Sequence, residues 1–222
     1  MRPHPLAAVF DMDGTLVDNM RFHGMAWERL ARRLGSPATH QQFEREWAGM
    51  KAGEILRILL ARPVPDTEVA RLEAEKEADY RAAYGPRIVP VAGLFAFLDR
   101  LRGAGYRLAL ATAAPADNRA MVLAALGLEG AFEVTAGPER AARGKPFPDI
   151  FLAAAALLGL APDRCVAFED ASNGVRAARA AGMEVVGIAT GETAARLRAA
   201  GAGHAAPDYE SLGAETLASL GL

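Results

Sequence analysis

From Gly85-Pro86 onward, short apolar runs alternate with helical periods that stop at glycine, and this alternation narrows the possible folds more than any other feature of the chain. Residues 94–101 carry a helical period and 107–112 read as a strand. Residues 118–126 form a helical period ended by Gly127, and 132–135 a strand. Residues 149–158 form another helix ended by Gly159, followed by a strand at 165–168. A helix at 174–181 ended by Gly182 and a strand at 184–188 complete the series. Glycine just past a helix accepts the left-handed conformation that closes the last turn. Strands separated by helices of this length form βαβ units, which build a mainly parallel sheet.

The same pattern begins before the alternation. Residues 6–10 are a short buried strand that runs into Asp11-Met12-Asp13-Gly14-Thr15. After that the period changes. Met20, His23, Trp27, Leu30 and Leu34 recur at spacings of three and four, one face of a helix, until Gly35-Ser36-Pro37 stops it. Helical patterns continue over 41–47, 52–60 and 67–84, with no strand signal. The domain reading is therefore an α/β core made of residues 1–18 and 85–222, interrupted by a helical insertion over 19–84. Ligands of open α/β sheets bind beyond the carboxyl ends of the strands. The polar residues at those ends are Asp11 and Asp13, Thr112, and Glu169 with Asp170, and right-handed crossovers bring such ends onto one edge.

Composition excludes some partners. The chain has 222 residues, 51% of them hydrophobic, and a net charge of −2. That balance offers no basic surface for nucleic acid or a membrane, and no run reaches the roughly 18 apolar residues of a membrane span. The one cysteine, Cys165, lies in an apolar strand and reads as a buried thiol; with no leader pattern at the N-terminus, the expected home is a reducing cytoplasm. Only Lys51, Lys76 and Lys145 among the 25 cationic residues are lysines. Where arginine serves as the ordinary surface cation, each lysine asks for a reason, because its ammonium is a compact point charge with three donors.

The residues at the sheet edge suit phosphoryl transfer. A phosphate monoester carries nearly two negative charges at neutral pH, so a carboxylate reaches it only with help from cations. Mg²⁺ takes oxygen ligands, and Asp11, Asp170 and Glu169 are its expected carboxylates. With the charge neutralised, Asp11 acts as a covalent nucleophile, and Asp13 donates a proton to the leaving alcohol and later takes one from water. The Thr112 hydroxyl and the Ala113 amide meet phosphoryl oxygens, and Lys145 stabilises the transition-state charge. Gly14 permits a tight turn that aims backbone N–H groups at an anion. The expected ligand is a small phosphorylated metabolite.

Four segments in order, Asp11-Met12-Asp13-Gly14-Thr15, Thr112, Gly144-Lys145-Pro146 and Glu169-Asp170 with Ser172-Asn173-Gly174, resemble the four motifs of the haloacid dehalogenase (HAD) superfamily of phosphatases. The resemblance covers nearly the whole chain. It implies a Rossmann-like parallel sheet core, an inserted helical cap at 19–84, Mg²⁺ dependence, an aspartyl-phosphate intermediate and the backbone carbonyl of Asp13 as a further metal ligand. Asp18-Asn19-Met20-Arg21-Phe22-His23 with Ala26-Trp27, residues 75–80, and Lys145-Pro146-Phe147-Pro148-Asp149-Ile150-Phe151 are similar to the β-phosphoglucomutase-like subgroup. The resemblance makes the loop around Lys51 a substrate-specificity loop. His23, Lys51 and Lys76 are the insertion's candidate substrate contacts, set against plainer readings as a core histidine, a solvated loop residue and a solvated helix residue. A sugar phosphomutase of this subgroup grips a second phosphate through a cap-loop arginine and a Ser-Lys-Asn run. Here Ala52 and Ala114-Pro115-Ala116 stand near those places, with Asp117 following. The expectation is a phosphatase acting on a small metabolite, a sugar phosphate first, ahead of a mutase. A haloacid dehalogenase, a phosphonate hydrolase using Lys51 and a non-enzymatic metabolite binder stand further behind. A monomer or weak homodimer is expected.

Overall fold

The structure is a computed structural model describing residues 6–222. Residues 1–5, assigned above to the α/β core and read as carrying no leader, lie outside the described residues. Six strands, β1 (Ala7–Phe10), β2 (Arg107–Ala111), β3 (Val134–Ala136), β4 (Cys165–Glu169), β5 (Glu184–Ile188) and β6 (His204–Ala206), form one sheet in the order β3-β2-β1-β4-β5-β6. Every neighbouring pair is parallel. β1 sits centrally, with Phe10 in register with Leu110 on one side and Phe168 on the other. The strand order reverses direction at β1, so β1, β2 and β4 flank the switch point where such sheets place their ligands.

Parallel strands are covered on both faces and read as continuous apolar runs. All four residues of β1 are buried. Ala7 and Val9 face a cluster with Phe151, Val175 and Leu197; Ala8 and Phe10 face the other, with Phe97, Phe168 and Tyr209. Phe10 stacks on Phe168 with ring centroids 4.5 Å apart. The helices that cover the sheet are α5 (Leu94–Gly103), α6 (Ala116–Leu126), α7 (Asp149–Leu158), α8 (Ser172–Ala180), α9 (Ala194–Ala200) and α10 (Ala214–Ser219).

Between β1 and α5 the chain is helical: α1 (Met20–Arg33), α2 (His40–Gln42) running into a π-helical turn Phe43–Trp47, α3 (Ala52–Leu60) and α4 (Asp66–Tyr84). These helices own a separate apolar cluster built on Trp27, Leu30, Phe43, Trp47, Ile55, Leu56 and Leu72. Tyr80 and Tyr84 at the end of α4 join the sheet's core instead. The strands of chain that leave and rejoin the sheet run side by side, with a bridge between Val17 and Pro90 and a bond from the Val91 amide to the Leu16 carbonyl (2.9 Å).

The expected elements recur with small shifts. β3 begins at Val134, two residues later than expected, and Phe132 before it packs edge-on against Phe10 with centroids 6.1 Å apart. α6 begins at Ala116, directly after Pro115, whose fixed φ suits a helix start. The alternation did not reveal α9, β6 or α10; the last strand is three residues of His204, Ala205 and Ala206, too short and too small to show a period. Among the described residues no helix is long and apolar enough to cross a membrane.

Candidate functional site

The ends of β1, β2 and β4 deliver the sheet-edge residues together. The Asp11 amide bonds to the Phe168 carbonyl (3.0 Å), locking the first step beyond β1 to β4. Asp11, Glu169 and Asp170 are almost fully buried, and one oxygen from each lies within 4.8 Å of the others. Lys145 arrives from the loop before α7. Its Nζ donates to Asp11 Oδ1 (2.8 Å) and to Glu169 Oε1. Three buried carboxylates thus stand against one ammonium, and Asp170 Oδ1 has no hydrogen-bond partner among the described residues.

An unpaired buried charge is costly, and the protonation of this cluster reflects it. Burial pushes the Asp11 carboxyl up to about 8, with Glu169 and Asp13 adding repulsion and Lys145 opposing them. Burial, Glu169 and Asp11 likewise push Asp170 well above the ordinary carboxylate range. Burial works against the Lys145 ammonium, but Asp11 and Glu169 outweigh it and hold the lysine charged. Oxygen-only donors, surplus negative charge and an orphaned carboxylate oxygen are what a hard divalent cation requires, so these residues fit Mg²⁺.

Two glycines make the approach possible. Gly14 has φ +78, and a Cβ there would stand 2.0 Å from Asp170 Oδ2; at Gly174 it would stand 2.0 Å from Glu169 Cδ. Gly14 sits in the expected tight turn with positive φ, but its own N–H is not directed at an anion. That N–H points to Asn19 Oδ1 (3.0 Å) and the Val17 carbonyl (2.7 Å), so Gly14 serves by leaving room for Asp170. Thr112 is buried beside the carboxylates, and its Oγ accepts from the Ala114 amide (3.1 Å), which leaves its O–H to donate into the chamber it lines with Ala113.

Asp13 is held from the insertion side. Its Oδ1 accepts from Asn19 Nδ2 (2.6 Å), and its Oδ2 lies 3.4 Å from His23 Nε2. Burial raises this carboxyl, but the imidazole of His23 and the amide of Asn19 prevail and hold it below its ordinary value. His23 stacks on Tyr80 at 3.7 Å, and its Nδ1 lies 2.7 Å from Lys76 Nζ. Lys76 is buried, donates to Glu77 Oε1 (2.8 Å) and sits over the rings of Trp27 and Tyr80. Glu77 Oε2 accepts from Asn118 Nδ2 (2.7 Å), and Asn118 Oδ1 accepts from Arg81 (3.0 Å), so α4 is bonded directly to α6.

Together these groups line a chamber with the sheet edge as floor and α1, α3, α4 and the 48–52 loop as roof. Asp11, Asp13, Thr112, Ala113, Lys145, Glu169 and Asp170 are in the floor, and His23 and Lys76 are in the roof. Gly14 and Lys51 do not line it. Lys51 Nζ donates to the Ala141 carbonyl (2.8 Å), beside a smaller cleft with Arg143 and Gly144. The loop that carries Lys51 is nevertheless bonded to the core: the Lys145 amide reaches the Gly49 carbonyl (3.1 Å), and the Gly144 amide reaches Glu54 Oε1 (3.2 Å).

Sequence reasoning passed over Asn19, Asn118 and Glu77. An asparagine ahead of a helix suggests an N-cap, yet the Asn19 side chain makes no cap bond and turns back to Asp13, Gly14 and the Tyr80 hydroxyl. Its available signal was adjacency to the Asp-x-Asp-Gly segment. Ser172 also differs from a simple cap: its amide and hydroxyl both donate to Glu192 (2.8 and 2.6 Å), which closes the start of α8 from outside.

A family model described as haloacid dehalogenase-like hydrolase matches residues 6–182. The chain is 31% identical over 194 residues to the beta-phosphoglucomutase of Bacillus subtilis, covering 84% of each. It is 36% identical over 183 residues to hexitol phosphatase A of Escherichia coli, covering 81% of each. Among solved structures, CbbY from Rhodobacter sphaeroides in complex with xylulose-(1,5)bisphosphate superposes with a TM-score of 0.79 at 27% identity, over 97% of this chain and 99% of that one.

Proposed function

Because the chain belongs to the haloacid dehalogenase-like hydrolase family, we propose that it hydrolyses the phosphate monoester of a small sugar or polyol, using Asp11 as nucleophile under a helical cap formed by residues 19–84. The observation that carries this reading is the sheet-edge cluster, in which Lys145 bridges Asp11 and Glu169 while Asp170 keeps a carboxylate oxygen unpaired.

Asp11, Glu169 and Asp170, with the Asp13 carbonyl that the family resemblance implies, would hold Mg²⁺, which would offset the phosphate's negative charge. The Thr112 hydroxyl, the Ala113 amide and the Lys145 ammonium orient the phosphoryl oxygens. An Asp11 oxygen attacks phosphorus, the bond to the leaving alcohol breaks, and Asp13 in its acid form protonates that alcohol. Asp13, now a carboxylate, removes a proton from water as the water attacks the phosphorus, and the bond to Asp11 breaks to release inorganic phosphate. His23 and Asn19 hold Asp13 in its base form before substrate binds; the dianion arriving beside it raises its affinity for the proton the first step needs. His23 and Lys76 contribute from the roof as substrate contacts. Lys51, turned to Ala141, keeps the specificity loop seated. The buried thiol of Cys165 suits a cytoplasmic setting.

The experiment is a panel of sugar and polyol monophosphates, assayed for phosphate release with Mg²⁺ and again with chelator. Release that needs Mg²⁺ and is lost in Asp11→Asn supports the reading; release that persists in either arm overturns it. The mutase remains second. The likeness to beta-phosphoglucomutase favours it, but the Ala114-Pro115-Ala116 run offers no side-chain donor to a second phosphate, and Asn118 is occupied by Glu77 and Arg81. Slow or absent conversion of glucose 1-phosphate to glucose 6-phosphate with a bisphosphate activator is expected.

A further inference from the structure

Of the two roof carboxylates that the reaction above does not use, Glu77 is paired with Lys76 and Asn118, and Glu73 is not. Glu73 of α4 lines the chamber one helical turn before Lys76. It is half-buried and has no hydrogen bond or ion pair among the described residues. Burial and then Glu77 push its carboxyl up, while Lys76 and Lys51 pull it down. All three of these charged neighbours belong to the insertion, so Glu73 stands apart from the carboxylates of the floor.

The cations near Glu73 are already engaged. Lys76 is taken by Glu77 and His23, and Lys51 by the Ala141 carbonyl. Among the described residues no arginine lines the chamber. Apolar side chains, Met20, Trp27, Phe43, Met50 and Ile55, line the chamber alongside these charged groups. A ligand whose phosphate lies on the floor therefore runs its body past rings and methionines and ends against a carboxylate without a partner.

We propose that Glu73 determines specificity at the end of the substrate opposite the phosphate, accepting monophosphates that present a hydroxyl or ammonium donor there and rejecting those that carry a second phosphate. An ionised carboxylate is an acceptor only. Donors satisfy it, whereas a phosphate dianion beside it in a partly desolvated chamber meets a like charge, and the neighbouring Lys76 ammonium is already paired with Glu77. This rests on the phosphatase reading and narrows its substrate class.

The test measures binding apart from turnover. In the full-length Asp11→Asn protein with Mg²⁺, fructose 6-phosphate and fructose 1,6-bisphosphate are titrated calorimetrically, then again with Glu73→Gln and Glu73→Arg added. The monophosphate binds more tightly while Glu73 is present. Glu73→Gln shifts the ratio of the two affinities toward the bisphosphate by about tenfold, and Glu73→Arg shifts it further. In proteins that keep Asp11, the same shift appears in KM and leaves kcat for the monophosphate less affected. Glu73 is half-exposed, so both variants are expected to melt like the parent, and Glu73→Gln carries the test by itself if the arginine variant does not fold. An affinity ratio unchanged by either substitution, or a parent that prefers the bisphosphate, overturns the proposal. The two readings fail separately: absence of phosphate release from every monophosphate by the intact protein removes the reaction, whereas an unchanged ratio with release intact removes only the role of Glu73.

Discussion

Two clusters of buried charge face each other across the chamber. On the floor, Lys145 bonds Asp11 and Glu169, and Asp170 beside them has an oxygen with no partner among the described residues. In the roof, Lys76 is enclosed by His23, Glu77 and the rings of Trp27 and Tyr80, and Glu77 is closed off by Asn118. In the roof cluster Lys76 and Glu77 pair one to one, whereas Asp11, Glu169 and Asp170 set three carboxylates against Lys145. Buried charges persist when paired and hydrogen-bonded, so the roof cluster is self-sufficient and the floor carries surplus negative charge. The contrast separates a cluster with surplus negative charge from one whose charges already answer each other.

The sharpest way to break the comparison is to remove the nucleophile. Asp11→Asn lowers phosphate release by at least about a thousandfold while leaving the melting transition in place, because it also removes a floor anion; steady-state release and thermal melts check both halves. Loss of folding instead of activity would put Asp11 in the same structural class as the roof residues.

The roof responds the other way. Lys76→Met strands the Glu77 carboxylate in a site where it is 9% exposed, and breaking such a pair from one side destabilises by about 3–5 kcal/mol. Adding Glu77→Gln recovers most of that. Denaturant unfolding of the two single variants and the double variant without ligand measures the coupling, and additive effects would show that the pair is not a unit.

The floor should also respond to pH. The folded-state value for Asp11 is raised from 3.8 to about 8 by burial. Between those values the folded protein binds more protons than the unfolded chain, so its stability falls as pH rises. With chelator, Tm is expected to drop by several degrees between pH 5 and pH 8, about the span bracketed by those two values. Mg²⁺ offsets the drop most strongly at the upper end, and Asp11→Asn flattens the chelator curve. Parallel curves with and without Mg²⁺ would deny that the floor binds the ion.

The smallest effect lies where floor and roof meet. Asn19→Ala removes bonds to Asp13, Gly14 and Tyr80 and costs about 1–2 kcal/mol of stability, with a drop in kcat larger than any change in KM. A change confined to stability would reduce Asn19 to a packing residue.

Much of the floor was legible beforehand because its residues sit at the ends of short apolar strands. Once a parallel sheet is inferred, Asp11, Thr112 and Glu169 are carried to one edge by topology alone, and the order β2-β1-β4 makes them neighbours. The roof was much less legible. Lys76 and His23 are 53 positions apart and meet because α1 packs along α4. Period three-and-four shows that each helix has an apolar face but not which residue of one lies beside which residue of the other. For the same reason Lys76, which looked like part of a charged helix, is buried, and Lys51, which looked like a substrate contact, reaches a backbone carbonyl.

The amino-acid order by itself determined the βαβ alternation, the helical interruption after the first strand and the acidic, hydroxyl and lysine residues of the sheet edge, since strand and helix periods are local and the ends of parallel strands must coincide. Tertiary structure alone decided that Gly14 yields space to Asp170, that Asn19 turns back to Asp13 and that Glu73 faces the chamber without a partner. Those outcomes depend on distances between elements far apart along the chain, and such distances follow from packing, which no local pattern encodes.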